Sequence, residues 1–244
     1  MKWPFFSFKK KHHTDDHNHN EELLDRYKQF RKTGIGLNTM LAKQVPKAAV
    51  PECGKKLGLF KAGTLIFNND DEVGILYDYC FHHYRRAGKN VIERYLEQSP
   101  PASESTEMIL LQAMVKSRYS LFRVEEINPH LGATLRDLLT GEALNLMDIG
   151  LSETGSPGII LAGRILPLAD FYMSSGTLIP LPEPVFEQSI TPIIRKFSHD
   201  KSPQFHPLFS PAQEASFTAQ VIRVSLHAGG EDNVFYTDMD HPAW

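Results

Sequence analysis

The sequence predicts an α+β protein: a helical N-terminal region, a small central β-barrel or curled antiparallel sheet, and C-terminal helices. Two changes of rhythm carry this reading. Apolar residues recur at helical spacing through the first half; at Arg118 the period falls to about 2 and β-formers crowd together. After residue 182 a helix start returns in Ser210-Pro211-Ala212-Gln213, with a Ser cap, Pro in the first turn and Gln three residues on. The 244 residues, 41% hydrophobic and 23% charged, suffice for a core. That composition is ordinary for a globular chain and excludes collagen, coiled coil and a disulfide scaffold.

Taken in order, residues 1–20 read as a disordered tail, with an aromatic and basic tip followed by a polar, His-rich stretch. Residues 21–118 form the helical region. Leu23, Leu24, Tyr27 and Phe30 mark a first helix, which Thr33-Gly34 and Gly36 should stop. Short helices follow at 37–44 and 51–59, then a brief extended segment at 63–67. Asn69 with Glu72 forms a capping box ahead of Val73, Leu76, Tyr77, Cys80, Phe81 and Tyr84, one apolar stripe. Asn90 to Gln98 repeats the capping device on a smaller scale, and a further helix is expected at 103–117.

Residues 119–182 form the β-rich module. Strands at 133–139 and 143–149 flank Thr140-Gly141-Glu142 as a hairpin, and 150–158 reads as a loop. The run from Gly158 to Leu166 suits a strand buried on both faces. Segments 171–173 and 177–181 read as a second hairpin. Residues 183–244 supply C-terminal helices and a tail, with Pro192 kinking the first helix.

Arg118-Tyr119-Ser120-Leu121-Phe122, Arg136-Asp137-Leu138-Leu139-Thr140-Gly141-Glu142, Gly150-Leu151-Ser152 and Gly163-Arg164-Ile165-Leu166-Pro167 together form a pattern over residues 70–182. It resembles a module of uncharacterised bacterial proteins, some of which end in a cysteine-rich zinc motif, the SEC-C motif. The C-terminal half here contains no cysteine, so the resemblance implies a domain and transfers no zinc function.

The net charge of −3 conceals a split. Residues 1–118 carry 19 Lys+Arg against 14 Asp+Glu, and residues 119–244 carry 7 against 15. Two halves of opposite sign present two functional faces or attract each other. The basic excess is densest over Arg26, Lys28, Arg31, Lys32, Lys43, Lys47, Lys55, Lys56 and Lys61, a candidate track for a phosphate backbone with Tyr27, Phe30 and Phe60 available to stack. Against a nucleic-acid barrel, residues 119–182 hold three Arg and seven acids.

Trp3, Phe5, Phe6 and Phe8 beside Lys9, Lys10 and Lys11 have the composition of a short anchor on an anionic membrane. No apolar run approaches the roughly 20 residues that span a bilayer. His199, Asp200, His206, Asp238, Asp240 and His241 offer imidazole and carboxylate ligands for a divalent metal if the two segments converge. The tail histidines His12, His13, His17 and His19 lack anything to orient them. Asp78 and His82, at i and i+4 with His83 and Arg85 close by, read as a surface pair; a catalytic role needs a nucleophile nearby. Cys53 and Cys80 are the only cysteines and indicate a reducing compartment, with both thiols packed as small apolar groups; a reactive Cys53, beside two lysines, is the alternative.

No P-loop, G-x-S-x-G, H-E-x-x-H or complete G-x-G-x-x-G is present. The expectation is a cytoplasmic, non-enzymatic binding or adaptor protein, peripheral to the membrane through its first eleven residues, with no implied cofactor and a protein as its partner. A nucleic-acid-binding protein using residues 26–61 and a metal-dependent hydrolase are the alternatives.

Overall fold

The computed structural model describes residues 12–197 and 209–228, with side chains from residue 20 onward. α1 (His12–Gln44) runs unbroken through Gly34 and Gly36, where a stop was expected. Packing explains the difference. Tyr27, Phe30, Leu37 and Leu41 keep one stripe buried through both glycines, and Gly34 lies against Leu110 of α5 (Thr106–Val115). Burying that stripe outweighs the roughly 1 kcal/mol that a helical glycine costs. The backbone of residues 12–20, assigned above to a tail, belongs to this helix.

α2 (Ala49–Leu57) ends on Gly58 at φ 83° and leads into a small hairpin, β1 (Phe60–Lys61) with β2 (Thr64–Leu65). In α3 (Asp71–His83) the Glu72 amide donates to Asn69 Oδ1 at 3.1 Å, the expected cap. The return bond differs: the Glu72 carboxylate accepts from the Asn68 amide, not from that of Asn69. α4 (Val91–Gln98) carries the complete Asn90–Glu93 box.

The centre is a five-stranded barrel. β3 (Arg118–Asn128), β4 (Gly132–Asp137) and β5 (Ala143–Met147) form an antiparallel meander; then come α6 (Ile149–Thr154), β6 (Ile160–Pro167), β7 (Tyr172–Ser174) and β8 (Ile179–Leu181). The segment expected to be a loop is thus partly α6, capped by Asp148. The second expected hairpin does not form. β7 and β8 lie end to end along one edge of β6, pairing with 165–167 and 160–162, and act as one interrupted strand. β7 also pairs in parallel with β5, and β6 pairs with β3, so the sheet closes. Numbering the barrel strands one to five, the cyclic order is 1-2-3-5-4-1 with a helix between the third and fourth. This is a Greek-key barrel of the oligonucleotide/oligosaccharide-binding type.

Phe122, Val124, Leu135, Leu144, Leu146, Leu161 and Ile165 fill the barrel. Tyr119, Leu121, Ile160 and Ala162 alternate outward and join Leu57, Tyr79 and Phe217 in a second cluster under α2, α3 and α9 (Pro211–His227). A third cluster joins α1, α4 and α5 to Met147, Leu166, Phe171 and Met173 at one end of the barrel. Between barrel and α9, α7 (Glu183–Val185) leads through a π-turn (Phe186–Ile190) into α8 (Thr191–Phe197). The wide turn falls just before Pro192, which has no amide to donate.

Candidate functional site

Two residues of α3 hold one outward residue of β6. Arg164, only 1% exposed, donates Nε to Asp78 Oδ2 at 3.1 Å and Nη2 to His83 Nε2 at 2.8 Å. Its Nη1 reaches Ser117 Oγ at 3.3 Å, at the end of α5, and lies 3.7 Å from Glu214 Oε1 on α9. An arginine only donates, so His83 Nε2 must be unprotonated. Burial, and then the Arg164 charge, push both His82 and His83 well below the ordinary histidine range, so both are neutral at pH 7. His82 Nδ1 lies 3.5 Å from Ser117 Oγ, while its buried Nε2 and the buried Tyr119 hydroxyl have no hydrogen-bond partner.

The Asp78–His82 pair is therefore interior, which corrects the surface reading. Helical spacing placed it correctly on one face, but α3 is buried on that face as well as on its apolar stripe. Ser117 is the hydroxyl a catalytic reading asks for, yet its proton goes to Met114 O at 2.7 Å and Arg164 donates to its oxygen. His82 Nε2 sits 3.8 Å from Asp78 Oδ1, too far for a hydrogen bond. What this arrangement does chemically is clamp α3, α5, β6 and α9 through one buried cation.

The other residues of the sequence pattern at 118–142 are likewise engaged internally. Asp137, fully buried, accepts from Ser120 Oγ, the Leu139 and Thr140 amides and Arg118 Nε, which builds the Leu138–Gly141 turn. Arg136 forks onto both oxygens of Glu125 at 2.9 and 3.1 Å.

The basic candidates separate into two groups. Arg26 is paired with Asp170, and Arg31 holds Asp148 Oδ2 at 3.0 Å and Ser174 Oγ at 2.6 Å, so both tie α1 to the barrel. Lys28, Lys32, Lys43, Lys47 and Lys61 are exposed and pair with no described acid; Lys56 pairs with Glu52. Tyr27 and Phe30 are buried against Phe171, so neither ring is free to stack on a base. Lys55 Nζ sits 5.1 Å above the Phe60 ring. Arg223 and His227 of α9 come to the same corner, against Gly58. Their i, i+4 spacing was legible; their approach to α2 had no sequence signal.

Trp3, Phe5, Phe6, Phe8, Lys9, Lys10 and Lys11 lie outside the described residues, as do His199, Asp200, His206, Asp238, Asp240 and His241. Among the described residues no group of three or more His, Cys, Asp or Glu is placed to hold a metal. Cys53 and Cys80 are both buried, as expected of small apolar groups, and burial tells against the alternative in which nearby lysines activate Cys53. A hydrogen bond with Cys53, and then burial, push the Cys80 thiol up.

Residues 21–202 match the model described as "Family of unknown function (DUF7986)". The chain belongs to that family. The matched stretch takes in α2 to α8 and most of α1, and stops short of α9. No curated protein and no solved structure matches. No described helix is long and apolar enough to cross a membrane.

Proposed function

We propose that this DUF7986 protein is a cytoplasmic, non-enzymatic binding or adaptor protein that presents the outer face of β4 and β5 to a protein partner. One observation carries the reading: α5 and α9 pack on β6 and β8, whereas on the outer β4–β5 face Ala143 and Asn145 are exposed and Thr134 and Arg136 half-buried, with α6 the helix that packs against β4. Asn128, Thr134 and Asn145 form a hydrogen-bonded row across that face, beside the Glu125–Arg136 fork. Such a face offers oriented donors and acceptors at little entropic cost, because its side chains already hold one another. The corresponding surface is where barrels of this topology take ligands, a fold-level analogy. Its carboxylates and lack of free aromatic rings suit a protein partner better than nucleic acid.

A photo-crosslinking residue at Asn145 should give a discrete protein adduct in cells, whereas one at Glu187, on the π-turn, should not. Thr134→Arg should abolish the adduct without changing thermal stability. Equal labelling from both positions would sink the reading.

A further inference from the structure

We propose that the corner formed by the end of α2, the β1–β2 hairpin and the end of α9 is a contact surface for an anionic phospholipid bilayer. Lys55 and Lys56 occupy the last turn of α2. Gly58 turns the chain, and Lys61 stands exposed beside the hairpin tip, Ala62-Gly63. Ile66 follows the returning strand at the base of the hairpin; its amide donates to Leu59 O at 2.9 Å and its side chain is 49% exposed. Arg223 and His227 reach the corner from α9: a Cβ on Gly58 would lie 3.2 Å from Arg223 Nε and 3.6 Å from His227 Cε1. A hairpin with a small Ala-Gly tip and an exposed isoleucine at its base, flanked by Lys55, Lys61 and Arg223 from three elements while Lys56 is paired with Glu52, has the chemistry of an interfacial anchor. Apolar groups enter the headgroup layer and the cations meet anionic lipid.

The same lysines were candidates for nucleic acid, and the geometry favours lipid over that partner. The face of Phe60 is covered by Lys55, so it offers no stacking platform, while an exposed Ile66 gains nothing from a phosphate backbone. The proposal is independent of the β4–β5 face, which lies on the barrel.

Sedimentation of the full chain with vesicles of phosphatidylcholine alone, or with about a third phosphatidylserine, tests it. Binding should require the anionic lipid and weaken strongly between about 50 and 200 mM salt. Lys55→Glu with Lys61→Glu should lower partitioning more than tenfold, from about fivefold per lysine. Ile66→Asp should weaken it without removing any lysine. All three positions are on the surface, and unchanged melting curves would show that the variants fold. The proposal is overturned if the wild type ignores anionic vesicles at low salt. It is also overturned if the lysine variant binds as the wild type does, which would assign contact to the aromatic tip. Binding of labelled RNA, but not vesicles, with the same dependence on Lys55 and Lys61 would overturn it in favour of nucleic acid.

Discussion

Arg164 is the residue on which most depends. Replacing it with Met leaves the Asp78 carboxylate buried beside a missing cation, a change that costs about 3–5 kcal/mol when one partner of a buried pair is removed. Asp78→Leu added to Arg164→Met should restore much of that loss, since two apolar groups need no compensation; urea midpoints of the single and double variants decide it. The neighbouring histidines add a pH dependence with a definite sign. Both are held neutral in the fold, whereas in the unfolded chain they titrate near 6.5. Below that value the unfolded chain binds protons that the fold refuses. Stability is therefore complete above about pH 6.5 and falls as pH drops below it, by up to about 1.4 kcal/mol per pH unit for each histidine. His82→Gln should make the urea midpoint less steep between pH 7.5 and 5.5, and an unchanged slope would reject the account. Next to Arg164, Gly163 faces the barrel interior, where a Cβ would meet Leu178 Cδ2 at 2.6 Å. Gly163→Ala should cost about 1–3 kcal/mol by overpacking.

Among the elements, α9 has the largest consequence. The family match ends at residue 202, yet Phe217, Val221 and Ile222 of α9 are almost fully buried in the cluster with Leu57 and Tyr79. Tyr79 also donates its hydroxyl to Ala215 O at 3.0 Å. A chain stopped after residue 202 should keep helical circular dichroism but lose cooperative melting and bind a hydrophobic dye, because that surface would face water. Phe217→Ala, in the intact chain, should cost about 3–5 kcal/mol, given its contacts with the Phe197 and Phe209 rings. A cooperative truncated chain would show that the helix is dispensable.

At the scale of the molecule, the helical and β-rich regions separated in the sequence share two of the three apolar clusters. The opposite charges of the two halves meet where Arg26 and Arg31 of α1 hold Asp170 and Asp148 of the barrel. Calorimetry should accordingly give one transition whose van't Hoff and calorimetric enthalpies agree. Two resolved transitions would mean that residues 21–118 and 119–182 fold separately.

By itself the sequence determined the fold class, the caps at Asn69, Asn90 and Ser210, the first hairpin and the strand at Gly158–Leu166. Each rests on residues within a few positions of one another, where propensity and side-chain capping act directly. Only the tertiary structure decided the rest. Gly34 is helical because Leu110, far along the chain, packs on it. Segments 172–174 and 179–181 pair with β6 and not with each other. His82 and His83 are interior because β6 and α9 cover them. Arg164 looked like one polar residue in an apolar run, and the partners that make it a clamp come from three separate segments. Spacing along the chain carries no record of such encounters, because burial is a property of what packs against a residue and not of its neighbours in sequence.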